Sequence, residues 1–181
     1  MRALAASAML IAALAGPAGM AAPAKSPPSL CGISEQVVFT CKIGRSLASL
    51  CAARESLHYR YGLAGSRAVD VGNLPDWSNV RIGTVIGQGG GHQDHVRIST
   101  GRIHYTLFAG TDGSLADNPG RSYAGFAVSQ GVRGETSIAR YQCTNAGYDP
   151  LVWLERVRET APKRYRDGLE ELPSSPFNAW F

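Results

Sequence analysis

The sequence predicts an all-β fold, an antiparallel barrel or sandwich of about eight strands with a C-terminal helical segment. Three observations predict it. Short runs of β-type residues recur from Val37 onward, several with period-two alternation, separated at short intervals by glycine-bearing turns, as in layered or closed antiparallel sheets. Four cysteines, Cys31, Cys41, Cys51 and Cys143, form an even set. After Asn145-Ala146-Gly147 the composition shifts to a charged, helix-type stretch.

Ahead of the β-region, Met1-Arg2 precedes an apolar, small-residue run over 3–14 and then Ala15-Gly16-Pro17. This is the charge-then-apolar pattern of a secretory signal peptide, with small residues placing cleavage after Ala21 or Ala24. The run is too short and alanine-rich to hold as an anchor, and no later stretch reaches about 18 apolar residues. Cys31 follows Pro28-Ser29-Leu30, not the small residues that precede a lipidated cysteine. The expectation is an exported chain, periplasmic or secreted, with no membrane span. Its parts are a leader over 1–24, a disulfide-bearing β-domain over 25–147 and a helical, charged extension over 148–181 that ends in an aromatic tail. The formal charge is +4 and becomes +3 once Arg2 leaves with the leader. That surplus gives mild attraction to polyanions and falls short of a basic stripe with interleaved aromatics, so nucleic acid is a poor candidate partner.

In an exported chain an even cysteine set reads as disulfides, and the opening strands rank the pairings. Runs over 37–42 and 46–52 flank Gly44-Arg45, so a two-residue turn pairs Ile43 with Ser46, Cys41 with Ala48 and Phe39 with Leu50. Cys41 then shares a face with Val37 and Phe39, and Cys51 lies on the opposite face with Val38, Thr40 and Ser49. A direct Cys41–Cys51 bridge is disfavoured. Cys143 follows Ala139 and Tyr141 on a core-type face, which favours Cys41–Cys143 with Cys31–Cys51. The spacings contain no C-x₂-C pair of the kind structural zinc sites use.

Next, 56–62 alternates Leu57, Tyr59 and Tyr61 against His58 and Arg60 and reads as a third strand; 66–72 and 80–86 read as a fourth and fifth. Runs over 96–99 and 102–108 flank Thr100-Gly101, a turn that would pair Ile98 with Ile103, Val96 with Tyr105 and Arg97 with His104. Residues 109–121 read as a polar loop, and 122–128 and 137–143 as closing strands. Asp149 then caps Pro150 at the first helical position of 151–160, with Leu151, Trp153, Leu154 and Val157 on the apolar side. A charged continuation over 163–172 precedes Phe177, Trp180 and Phe181.

Phe39-x-Cys41, Ser49-Leu50-Cys51, Tyr59-Arg60-Tyr61-Gly62 and Gly89-Gly90-Gly91 behind a signal peptide resemble a group of short exported bacterial proteins. The resemblance covers about Cys31 to Cys143. It departs at Ala68-Val69-Asp70-Val71, where that group often has an acidic residue near a proline. It implies an exported β-fold and carries no activity.

Candidate sites are few. Gly89, Gly90, Gly91, His92, Asp94 and His95 form a candidate binding loop, and His92, Asp94 and His95 offer two imidazoles and a carboxylate that could hold zinc or copper. Histidines three apart in a loop are not a defined ligand spacing, so a solvated loop is the simpler reading. Tyr59, Arg60 and Tyr61 are a candidate surface patch if exposed, and otherwise a core strand with one solvated arginine. No Gly-x-Ser-x-Gly elbow and no grouped carboxylate pair stands in the β-region, so no catalytic residue is assigned. The expectation is a non-enzymatic binding or structural β-domain of the bacterial envelope. A metal-binding protein or metal-dependent enzyme built on the histidine loop is the first alternative. A lysozyme-inhibitor-like role is disfavoured, because a basic chain gains no steering toward cationic lysozymes. In a further alternative the C-terminal tail docks on a partner.

Overall fold

The computed structural model describes residues 28–170, so the expected leader and the 171–181 tail lie outside the described residues. Within them, the strand runs build ten strands in two open five-stranded antiparallel sheets, packed as a sandwich rather than closed into a barrel. The first sheet holds β1 (Gln36–Ile43), β2 (Ser46–Ala53), β3 (Ser56–Leu63), β4 (Ser66–Gly72) and β10 (Asn145–Tyr148), in the order β10-β1-β2-β3-β4. The second holds β5 (Val80–Ile86), β6 (His92–Thr100), β7 (Ile103–Thr111), β8 (Ser122–Gln130) and β9 (Thr136–Gln142) in chain order. A short helix, α1 (Trp153–Thr160), packs against β1, β2, β3 and β6, and a 3-10 helix over Lys163–Leu169 follows it.

The two-residue hairpin turns each place a residue at positive φ, a glycine at Gly44, Gly65 and Gly101 and Arg54 between β2 and β3. Gly44 (φ 57°) sits between Ile43 and Ser46, and the pairing Ile43–Ser46, Cys41–Ala48, Phe39–Leu50 follows from it. One correction applies on β1. A bulge lies between Val37 and Phe39, so Val37 pairs with Cys51 and is 38 % exposed while Val38 enters the core. An extra residue in one strand reverses side-chain parity beyond it, which a uniform alternation cannot foresee. The β6–β7 hairpin also differs from expectation. Thr100 pairs with Ile103, Ile98 with Tyr105 and Arg97 with Thr106. Gly101 takes φ 56° as the first residue of the turn, so the turn is Gly101-Arg102, and Thr100, β-branched and suited to a strand, stays in the ladder. The slip is two residues along the ladder, which preserves every face.

The core lies between the sheets and is aromatic across the gap. Tyr59 of β3 stacks on Tyr105 of β7 at 5.0 Å between ring centroids, and Tyr61 meets Phe126 of β8 at 5.3 Å. Helix α1 adds Trp153 and Val157 to this core, with Phe39 5.3 Å from Trp153. The helix starts two residues later than the Asp149-Pro150 signal predicts. The Asp149 side chain accepts from Leu151 N–H at 3.1 Å, and its carbonyl accepts from Val152 and Trp153 N–H. That turn holds Leu151 outward, 90 % exposed, so Leu151 does not join the apolar face expected of it. Strand β10, absent from the expected strands, pairs Phe39 with Tyr148 on the edge of the first sheet.

The chain crosses between sheets twice. Leaving β4, Asn79 donates to Gly72 O at 3.1 Å in the first sheet and to Ser99 O at 2.9 Å in the second. Leaving β9, Cys143 N–H donates to Ala124 O of the second sheet, and the next residue, Thr144, donates to Lys42 O of the first. The disulfide Cys41–Cys143 sits at that second crossing, and Cys31–Cys51 ties the entering segment to β2. No helix among the described residues is long and apolar enough to cross a membrane.

The two disulfides close loops with sequence separations of 102 and 20. Chain entropy gives about 4.7 kcal/mol for the longer and about 3 kcal/mol for the shorter. Urea unfolding should therefore show a larger loss of stability for Cys41→Ala/Cys143→Ala than for Cys31→Ala/Cys51→Ala; the reverse order would refute the crossing as the point of greater constraint.

Candidate functional site

Tyr59-Arg60-Tyr61 is not a surface patch. Tyr59 is 1 % exposed in the core, Tyr61 packs against the core, and Arg60, on the opposite face of β3, is 5 % exposed. The arginine is buried because residues 28–35 cross the outer face of the first sheet as a strap. Along one cross-strand row, Thr40 Oγ1 donates to Pro28 O at 2.9 Å, Ser49 Oγ accepts from Leu30 N–H at 3.0 Å, and Arg60 reaches Leu30 O at 3.4 Å. Glu35 closes the strap. It takes a bidentate pair from the Arg60 guanidinium, Nη2–Oε1 at 2.9 Å and Nη1–Oε2, while Arg60 Nε donates to Asp70 at 2.9 Å. His58 Nδ1 completes the chain on Asp70 at 2.7 Å. Such an arrangement satisfies the guanidinium fork on two sides. It positions the strap over the sheet, with the His58–Asp70 end of the chain part-exposed.

The stretch over 87–95 is not a single loop. Gly87 N–H donates to Gly91 O at 2.8 Å around a 3-10 turn at Gln88–Gly90, and β6 begins at His92. A strand sends residues three apart to opposite faces. His92 is exposed at the strand start, Asp94 accepts from Thr84 Oγ1 at 2.6 Å on the same face, and His95 lies on the other face, 1 % exposed. The geometry therefore splits the proposed ligand set. Burial, helped by neighbouring Arg97, holds the His95 imidazolium down to about 4, so this ring is neutral at ordinary pH. Among the described residues, the one cluster with ligand-like spacing is Cys31, Glu35 and Cys51, and its sulfurs are joined in a disulfide. Oxidised sulfur is not the thiolate a metal requires.

A different site forms where the turn over 87–91 meets the loop over 112–121. Ser114 N–H donates to Gly89 O at 2.8 Å. The approach needs glycine on both sides. A Cβ on Gly89, already at φ 68°, would lie 2.7 Å from Ser114 Oγ, and one on Gly91 would lie 2.7 Å from Gly113 N. The longer loop is held in turn by Asp112 N–H on Arg121 O (2.9 Å), Gly120 N–H on Asp112 O (3.0 Å) and the Arg121–Asp112 ion pair (2.9 Å). Between the loops opens a cleft of about 590 Å³, lined by Gly87, Gly91, Asp112, Gly113, Leu115, Ala116, Asp117, Asn118 and Arg121. Its size is that of a small-ligand or peptide-side-chain pocket. Leu115, 74 % exposed, is its apolar contact, while Asp117 and Asn118 supply polar ones. Of the candidate loop residues, Gly91 reaches this cleft; His92, Asp94 and His95 do not line it.

In the sequence the two loops are separate features, 20 or more residues apart. Residues 109–121 read as an undifferentiated polar loop, whereas β7 runs to Thr111 and carries Asp112 to the strand end. The signal in the sequence is in the glycines: Gly89 and Gly91 are the positions where the 113–115 backbone approaches too closely for a Cβ, while Gly90 between them serves its positive φ in open space. Glu35 carries no signal in the sequence, because nothing in the segment after the expected leader shows that it returns over the sheet, and Asp70 stands out only once Arg60 is known to be buried beside it.

The Arg60 hydrogen bonds hold the Glu35 carboxyl down to about 2, against the opposing effect of its burial, with Gly32 N–H assisting. A folded-state value below the unfolded one means that this stability is fully present above about 4.5, the ordinary value, and is lost as pH falls toward about 2. The melting temperature should fall across that window in the parent and change less in Glu35→Gln, which starts lower at neutral pH. Arg60→Ala, which strands two carboxylates, should cost about 3 kcal/mol. Parallel acid profiles for parent and Glu35→Gln would contradict this account of the strap.

Comparison of the chain with protein-family models, with curated proteins and with solved structures finds no match.

Proposed function

We propose that this chain is a non-enzymatic binding domain of the bacterial envelope, working in the periplasm or outside the cell, and that it binds through the cleft between the 87–91 turn and the 112–121 loop. The observation that carries this reading is the clasp itself. Two loops at one end of the sandwich are joined by the Ser114 N–H to Gly89 O hydrogen bond and by close glycine contacts, each loop is braced by its own backbone bonds, and together they enclose an open cleft rather than a solid plug. Pre-organised loops lose little conformational freedom on binding, which is how β-sandwich domains obtain affinity from loop ends. Two disulfides fit an oxidising compartment. The charged groups in the cleft include an ion pair, Asp112 with Arg121, an arrangement suited to holding shape and orienting a polar ligand.

The test uses the oxidised mature chain as bait in envelope extract, beside a Leu115→Arg/Ala116→Arg variant. Leu115 is exposed and Ala116 half-buried in the loop, away from the core. A ligand or protein retained by the parent at moderate salt, and at least tenfold less by the variant, is the expected result. Salt removes weak charge attraction, so what survives reports a shaped contact. Equal retention by parent and variant, or retention of nothing beyond polyanions that wash off, would overturn the proposal.

A further inference from the structure

The charges that line the cleft are out of balance in the sense opposite to the chain. The chain carries 18 Lys and Arg against 14 Asp and Glu. The cleft has two carboxylates, Asp112 and Asp117, against one guanidinium, Arg121, which leaves one negative charge. That guanidinium is already engaged, its Nε donating to Asp112 Oδ2 at 2.9 Å. Among the described residues nothing bonds Asp112 Oδ1 or the Asp117 carboxylate. The Asp112 side chain is 11 % exposed, and a charge so shielded interacts more strongly than one in open solvent.

The rest of the wall is apolar or bare backbone. Leu115 is exposed and Ala116 half-buried beside it, and Ile86, 73 % exposed, precedes Gly87 in the chain. Gly87, Gly91 and Gly113 line the cleft with no side chain to hold a ligand's backbone away. Three ligand classes meet this wall differently. An anion gains from Arg121 only in competition with Asp112, and it faces Asp117 as well. A purely apolar group takes water from the Asp112 carboxylate and returns nothing. A lysine or arginine side chain suits both parts, its methylene stem on Leu115 and Ala116 and its cation on the carboxylates. The space of about 590 Å³ is larger than one side chain needs, and the glycines admit the main chain on either side of it.

Resting on the cleft reading above, we propose that the partner is a protein or peptide that inserts a lysine or arginine side chain between the two loops, with its stem against Leu115 and its cation drawn to Asp112 and Asp117. The recognition is local. A chain with a positive surplus gains no long-range steering toward a basic partner, so selection depends on contact at the cleft.

NMR titration of the oxidised exported chain tests it, read at the backbone amides of Gly87, Gly91 and Gly113. The probes are capped pentapeptides with two alanines on either side of a central arginine, lysine, leucine or glutamate. The arginine and lysine peptides are expected to shift these amides with dissociation constants about tenfold below those of the leucine and glutamate peptides. Asp117→Lys, a charge reversal at an exposed loop residue, should remove that preference. Equal binding of the arginine and leucine peptides, or tighter binding of the glutamate peptide, overturns the basic side chain as ligand and leaves the cleft a binding site. A preference undiminished in Asp117→Lys puts the cation elsewhere and overturns it too. No response to the arginine and lysine peptides overturns it whatever the extract retains, and the envelope capture then decides separately whether the cleft binds anything.

Discussion

The two crossings between sheets are the constraint on which the rest of the structure depends. Within each sheet β1–β4 and β5–β9 run as meanders whose neighbours in sequence are neighbours in space, and β10 alone among the described strands returns from far along the chain, to pair with β1. Neither sheet buries an apolar face until the other is laid on it. The Asn79 amide bonds to both sheets at one crossing, and at the other consecutive N–H groups, Cys143 and Thr144, serve one sheet each. The Cys41–Cys143 bond sits at that point and joins the first strand to the last of the opposing sheet. With the sheets so held, Tyr59, Tyr61, Tyr105 and Phe126 meet across the gap and α1 adds Trp153 beside Phe39.

Fixing the sandwich also decides where polar chemistry can go. The row Thr40, Ser49, Arg60 and Asp70 would be an ordinary solvated face if residues 28–35 ran elsewhere. The strap removes water from it and must replace that water atom by atom, which Pro28 O, Leu30 N–H and O, and Glu35 do. An arginine so enclosed is positioned and inert. The opposite happens at the strand ends, where glycine backbones allow two loops to close on each other without filling the space between them.

Strand positions were readable wherever alternation and a turn residue agreed. The bounds Ser66–Gly72 and Val80–Ile86 follow from the sequence, and the β1–β2 register follows from Gly44-Arg45. That register also separates Cys41 from Cys51, so strand parity alone ranks the disulfide pairing found here. Legibility failed where parity was interrupted or where the partner was distant. The bulge at Val38 swaps which valine is buried. His92-Gln93-Asp94-His95 has no alternation, yet it is strand because neighbouring strands supply partners, Thr84 for Asp94 and Tyr123 for Gln93. Arg60 read as solvated because its counter-ions stand at Glu35, 25 residues earlier, and Asp70, 10 later. The cleft was invisible for the same reason: its walls are glycine and backbone, joined across two loops.

Binding at this cleft presumes that its walls exist before any ligand arrives. Amide hydrogen exchange on the free oxidised chain tests that presumption directly. If the loops are clasped, the N–H groups of Gly87, Asp112, Ser114 and Gly120, each bonded within the turn and loop, will exchange far more slowly than in an unstructured peptide. Exchange of all four at the unstructured rate, with β6 and β7 still protected, would show an intact sandwich with unformed loops and would contradict the account.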